Sequence, residues 1–371
     1  MTVTEQTLLA DYTTLGLGGP AARFVTAGSA EELIAAVRAA DAEGVPVLVL
    51  GGGSNLVVAD AGFPGVVVQV ASRGIRLAPA DGSSDARMTV EAGADWDELV
   101  QLSIAENLAG IECLSGIPGR AGATPIQNVG AYGQEVSQTI SSVRAYDRLT
   151  DRVVELTPAE CGFGYRTSMF KRHATGGRGA QLNPAAATGR HVVLAVTFGL
   201  AAGPLSVPVR YAELARLLGV AVGDRVPLEQ ARAAVLQLRR GKGMVLDPAD
   251  PDTRSAGSFF TNPVVPAGRL ADLEAALIAA GGHGPVPRFE AGEGSVKIPA
   301  GWLIEHAGFG RGYPGNDAAG ARISTKHTLA LTSRGGSTGD LIGLARQVRD
   351  GVLDVFGVRL ENEPVLIGVE L

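Results

Sequence analysis

Cysteine is scarce in this 371-residue chain, which carries only Cys113 and Cys161. Two thiols so far apart in sequence make neither a disulfide framework nor a zinc-ligand pattern, so a reducing compartment is expected. Aromatic residues are only 5% of the total, so any core must be built from aliphatic side chains. The five histidines form no HExxH or comparable spacing, and Glu305-His306 stands alone on an amphipathic stretch, so no metal is expected. No uninterrupted apolar run approaches the ~18 residues a membrane span needs. Residues 1–11 lack a basic segment followed by an apolar one, so neither export nor insertion is expected and the location should be cytoplasmic. Excess positive charge is missing too. A formal net charge of -6 gives no long-range pull toward nucleic acid or an anionic membrane, and the one dense basic cluster is Arg239-Arg240-Gly241-Lys242.

What the chain does have is length, aliphatic residues (46% hydrophobic overall) and 51 glycines. A chain this long outgrows a single core, so two or three structural units are expected. Ser29-Ala30-Glu31-Glu32 reads as a capping box opening a helix through Leu33, Ile34 and Val37 to Gly44. After Pro46, the run Val47-Leu48-Val49-Leu50 reads as a buried strand. Asp95 caps a second helix, with Leu99, Leu102 and Ile104 on its apolar face, ending near Gly110. Residues 140–200 are mostly strand-like around a low-complexity surface loop at 175–188, and helical stretches return after Pro208, including 228–238. The clearest helix is the last, where Leu341, Leu344, Ala345, Val348, Val352, Val355 and Phe356 keep helical spacing and Gly357 supplies the stop. Two short strands around Glu361-Asn362-Glu363-Pro364 should finish the chain.

Two segments carry chemistry. In Gly51-Gly52-Gly53-Ser54-Asn55 the glycines follow a strand, but the β-rich Leu56-Val57-Val58 comes next. A Rossmann loop needs a helix there to meet the pyrophosphate, so that reading fails. Consecutive unobstructed amides can still form an anion nest, with Ser54 and Asn55 as side-chain partners. The second segment runs Ser115-Gly116-Ile117-Pro118-Gly119-Arg120-Ala121-Gly122-Ala123-Thr124-Pro125-Ile126-Gln127-Asn128-Val129-Gly130-Ala131-Tyr132-Gly133. Small residues let backbone approach a flat cofactor closely, and Thr124, Gln127 and Asn128 can hydrogen-bond a ring edge.

Together with Thr14-Leu15-Gly16, Gly164-Tyr165-Arg166, Gly257-Ser258-Phe259-Phe260-Thr261-Asn262-Pro263 and Glu363, these segments resemble the UDP-N-acetylenolpyruvoylglucosamine reductase family over nearly the whole chain. The resemblance implies an α+β FAD-binding fold of the vanillyl-alcohol-oxidase (PCMH) type, with two FAD-binding subdomains (1–75 and 76–215, the latter joined by 358–371) and a substrate-binding domain (216–357). It implies noncovalent FAD, NADPH as hydride donor, a UDP-sugar substrate, and a monomer serving peptidoglycan precursor synthesis. FAD would lie against Gly51, Gly52, Gly53, Ser54, Asn55, Ile117, Pro118, Gly122, Thr124, Gln127, Asn128, Gly130 and Ala131. Arg166 matches the family's carboxylate-holding arginine, Ser258 its proton donor to C2, and Glu363 its carboxylic acid, which burial would keep protonated. Tyr165, Tyr211, Lys242, Asn262 and His327 match substrate contacts, with Arg240 an alternative to Lys242, and Tyr211 suggests the subclass with a tyrosine loop. The glycine loops alone also suit a hydroxyacid or alcohol oxidase on the same fold, or a non-enzymatic nucleotide-binding module. Neither rival accounts for Arg166, Ser258 and Glu363 together.

Overall fold

The computed structural model describes residues 2–79, 85–174, 188–316 and 318–371; the low-complexity loop expected at 175–188 falls outside them except for its last residue. The chain divides into two compact units. One comprises Met1–Thr7, Ala21–Gly53 and Phe63–Val245, the other Leu8–Pro20, Ser54–Gly62 and Leu246–Leu371.

The first unit holds two sheets. In the smaller, Pro20–Ala27 and Val47–Leu50 flank Phe63–Val70, both parallel to it, with Thr2–Leu8 at the edge. Val47–Leu50 is a continuous aliphatic run, as a buried parallel strand should be, whereas the edge strand Thr2–Leu8 is polar and exposed. The larger sheet is antiparallel, with Arg152–Leu156, Ile140–Asp147, His191–Ala202, Ala86–Glu91 and Ile75–Pro79 in spatial order. The helix Ala30–Ala42 begins where Ser29 Oγ accepts from the Glu32 N–H at 3.2 Å, while the Glu32 carboxylate takes the Gly28 N–H at 2.8 Å. Asp95 caps the helix Trp96–Ala105 through the N–H groups of Asp97 and Glu98, and Asn107 at φ +54° ends it short of Gly110. One aliphatic core joins both sheets to both helices, with Trp96, Tyr146, Phe170 and Phe198 among its buried members. Trp96 is fully buried, 5.8 Å from the Phe198 ring, and donates its indole N–H to the Leu114 carbonyl. Both cysteines are buried and free; burial raises both thiols, Cys161 to about 11, so neither is poised as a thiolate.

The second unit packs the long helix Thr338–Phe356 against the antiparallel sheet of Ser255–Ser258, Ala330–Ser333 and Ala321–Ile323 and against the helices Leu270–Ala279 and Ala300–His306. Its capping box pairs Ser337 with Asp340, and Gly357 closes it in the left-handed conformation.

Three expectations need correcting. Residues 8–20 and 54–62 belong with the C-terminal unit, because Leu15, Leu17 and Val57 bury their side chains in its core. Residues 216–245 belong with the first unit, because the helix Leu228–Gly241 lays Ala231, Ala234 and Val235 against Cys113, Val209 and Leu214. The end of the chain does not join the larger sheet. Val365–Ile367 pairs in parallel with Leu56–Val58, giving this short strand its partner. Of the two strands expected near 361–364, the structure has this one and a single bridge between Phe260 and Asn362.

Candidate active site

In the first unit the two glycine segments meet. A Cβ on Gly52 would fall 2.7 Å from Gly119 Cα, so the loop after Val47–Leu50 lies directly on the backbone of the second segment. That segment is clamped along its length. Trp96 donates its backbone N–H to Gly119, while the Ala121 and Gly122 amides donate to Ala94 and Ala92 at 2.9 Å. A Cβ on Gly122 would sit 2.4 Å from Ala92 Cβ, so only glycine allows this approach. Farther along, Gly130–Ala131 and Gln134–Glu135 form a hairpin whose two loop residues, Tyr132 and Gly133, both have positive φ, as a twisted two-residue turn requires. Ile117 and Ala131 rest against the core.

Two expected ring-edge donors bond to the protein itself. Asn128 is 1% exposed, its amide group donates to Glu135 and to the Gly164 carbonyl, and its oxygen accepts from the Ser137 N–H. Thr124 is buried and donates to the Ala121 carbonyl at 2.8 Å. Both side chains brace the loop.

Arg166 sits in the tight turn between Gly164 and Thr167 with φ +52°, a conformation that non-glycine residues rarely adopt. Its guanidinium donates to the Gly130 carbonyl at 2.7 Å and lies 5.5 Å from the centre of the half-exposed Tyr165 ring. A Cβ on Gly130 would come within 3.0 Å of the same guanidinium. The turn therefore aims the charge at the hairpin that carries the cofactor loop.

Tyr211 opens the helix Ala212–Leu218, its ring edge-on to Tyr132 at 5.4 Å. Lys242, just past the helix Leu228–Gly241, places Nζ 2.6 Å from the Glu213 carboxylate and 5.7 Å from the Tyr132 ring centre. Arg240 is exposed, so Lys242 is the cation gathered with the tyrosines. Three neighbouring features carry no signal in the residue pattern. Arg232 forks onto both Asp97 oxygens at 2.7 and 2.8 Å, and Asp97 also accepts the Gly116 N–H. Burial alone would raise the Asp97 carboxyl, but these donors hold it below its ordinary value. Arg239 is 9% exposed and donates to the Met244 carbonyl at 2.7 Å, with its Nε–H meeting no acceptor among the described residues. Desolvation lowers its pKa. Burial also pushes the Tyr132 phenol up to about 12. Charge in the run 239–242 was readable; which residue faces inward was not.

In the second unit Ser258 ends the strand Ser255–Ser258, which bulges before pairing Ser258 with Ala330. Gly257, at φ +73°, makes the bulge possible. The next residue, Phe259, accepts the Glu363 N–H at 2.8 Å, and the Thr261 N–H donates to Glu361. One backbone rung thus joins Glu363 to the residue that follows Ser258. Glu363 is half-buried whereas Glu361 is exposed, as expected of a solvated turn carboxylate. Asn55 donates its side-chain amide to the Glu363 carbonyl at 3.4 Å, and its own carbonyl accepts from Val365. Ser54, beside it, is half-buried. The Asn262 side-chain oxygen accepts the Ala300 N–H at 2.8 Å, capping the helix Ala300–His306. His327 Nδ1 accepts from the Leu329 N–H, and the Leu329 carbonyl takes the Phe259 N–H, so the histidine turn borders the Ser258 strand. Among the described residues no group of His, Cys, Asp and Glu is placed to hold a metal ion, and no helix is long and apolar enough to cross a membrane.

Residues 21–157 match the FAD-binding-domain family model, and residues 248–367 match the model of the UDP-N-acetylenolpyruvoylglucosamine reductase C-terminal domain. The chain is 57% identical to the UDP-N-acetylenolpyruvoylglucosamine reductase of Thermobifida fusca, over 98% of this chain and 97% of the relative. The chain belongs to this reductase family. It is also 54% identical to the reductase of Salinispora arenicola (98% of this chain, 95% of the relative) and 50% identical to that of a Mycobacterium species (98% and 95%). The crystal structure of the reductase from Thermus caldophilus superposes with a TM-score of 0.63 at 26% identity, covering 99% of both chains. The protein is an FAD-dependent oxidoreductase with the α+β FAD-binding fold of the vanillyl-alcohol-oxidase type. The family match removes both the oxidase and the non-enzymatic alternatives. The glycine contacts suit the cofactor, since side chains at Gly52 and Gly122 would force apart the backbone that must lie close to it.

Proposed function

We propose that the enzyme reduces the enolpyruvyl group of UDP-N-acetylglucosamine enolpyruvate to UDP-N-acetylmuramate at the expense of NADPH, in peptidoglycan precursor synthesis. Bound FAD supplies the hydride chemistry, accepting from NADPH and delivering to C3 of the enol ether. The amides of Gly51, Gly52 and Gly53, with Ser54 and Asn55, would hold its pyrophosphate, and Ile117, Pro118, Gly122, Gln127, Gly130 and Ala131 would lie along the rest of it.

The residues of this chain manage the charge and the proton. Arg166 binds the substrate carboxylate; a planar, permanently charged fork suits two carboxylate oxygens and stabilises the negative charge that hydride addition sends from C2 into them. Ser258 gives its hydroxyl proton to C2. Glu363, when protonated, donates toward the same developing charge. Tyr165, Tyr211, Lys242, Asn262 and His327 grip the UDP-sugar, Lys242 as a point charge on the diphosphate. Tyr211, at the exposed start of a short helix, favours the tyrosine-loop subclass.

The observation that carries this reading is the rung from the Glu363 N–H to the Phe259 carbonyl, which joins the Glu363 segment to the strand end that bears Ser258 at a glycine bulge. An oxidase needs a base there; two potential proton donors suit a reductase that must protonate carbon. The two free buried thiols suit the reducing cytoplasm, where we place a monomeric enzyme with no nucleic-acid or membrane partner. Anaerobic flavin spectra test the reading. NADPH should bleach the purified yellow protein and the enolpyruvyl sugar should restore its colour; protein that takes up no FAD, or colour that the sugar leaves unrestored, overturns it.

A further inference from the structure

We infer that Glu213 is a built-in counter-ion that occupies Lys242 in the free enzyme and must yield it when a nucleoside diphosphate binds. The inference rests on the reading that Lys242 holds the diphosphate. The Lys242 ammonium is 2.6 Å from the Glu213 carboxylate, and both side chains are about 30% exposed. The same ammonium lies against the Tyr132 ring, which also meets the Tyr211 ring edge-on. Glu213 lies two residues after Tyr211, in the first turn of the helix Ala212–Leu218. The pair therefore joins the end of one helix to the start of another at the tyrosines.

An ammonium has three donors, and a diphosphate arriving on it brings up to three negative charges within hydrogen-bonding reach of the group that Glu213 already neutralises. If the carboxylate stays, like charges face each other across one cation. If it leaves, the ion pair is lost. Either course opposes binding, so Glu213 sets how tightly the diphosphate is held by acting on Lys242, not by touching the ligand. It is a positioning residue. It keeps a half-buried lysine paired until substrate comes, and a purely structural role would predict the opposite effect of its removal.

The test is calorimetric titration of the full-length FAD-loaded enzyme with UDP. Glu213→Gln should tighten UDP about two- to fivefold, the range of a partly exposed ion pair. Glu213→Ala should shift affinity the same way, and Glu213→Asp should return it toward wild type. Lys242→Ala should weaken UDP about tenfold or more, and in that background Glu213→Gln should change nothing. If Lys242→Ala weakens UDP but Glu213→Gln leaves it unchanged or weaker, the counter-ion role is wrong while the diphosphate reading stands. If Lys242→Ala leaves UDP affinity unaltered, the diphosphate reading fails and the inference with it.

Discussion

Gly122 and Gly257 lie in the two most informative motifs of the chain, and each is glycine for a different reason. At Gly122 a side chain has no space, since Ala92 backbone and Cβ stand where it would go. At Gly257 space is open, with nothing within 4 Å of where a Cβ would stand, but φ is +73°. The first kind of glycine brings two backbones together, in a region whose work is to lie close to a cofactor. The second lets a strand bulge just before Ser258 pairs with Ala330 and Phe259 accepts from Glu363. The cofactor region is also tied by charge, through Asp97, Arg232 and the Gly116 amide. The Ser258 region is tied by backbone rungs to Leu329 and Glu363.

This contrast can be broken experimentally. Gly122→Ala or Gly52→Ala should have the largest effect, destabilising the protein by roughly 2–4 kcal/mol with loss of bound flavin, because the blocking atoms are backbone. Thermal unfolding with flavin absorbance measures both. Gly257→Ala should cost about 1–2 kcal/mol, the strain of a left-handed alanine, and retain flavin while turnover falls. Equal flavin loss in Gly257→Ala and Gly122→Ala would erase the distinction. Asp97→Asn should be mildest, about 1 kcal/mol, since the pair is partly exposed. The sign with pH follows from the lowered Asp97 carboxyl. Its contribution is complete above the unfolded value and is lost as pH falls through the depressed folded one, so the mutant should match wild type more closely in acid. A gap that widens in acid would contradict this.

The regular elements were legible because their signals are local. Ser29, Asp95 and the heptad-like spacing before Gly357 report on neighbours within one or two turns, and the helices start and stop near those marks. The strand after Gly51–Asn55 was legible for the same reason, from the β-rich run Leu56-Val57-Val58. What was not legible depends on distant partners. That Val365–Ile367 would pair with Leu56–Val58, or that Leu228–Gly241 would pack on Cys113 and Val209, is decided by long-range burial that no window of sequence contains. The type of Asn128 was readable; its bonds to Glu135, Gly164 and Ser137 were not.

Rapid-mixing kinetics of Ser258→Ala, with the two half-reactions followed separately under anaerobic conditions, test the central claim most directly. Reduction of the flavin by NADPH should keep its wild-type rate, while reoxidation by the enolpyruvyl sugar should slow by roughly 10²-fold or more, because only that step needs a proton at C2. Equal slowing of both steps, or a wild-type rate of reoxidation, would contradict the role given to Ser258 and with it the account of how this site protonates carbon.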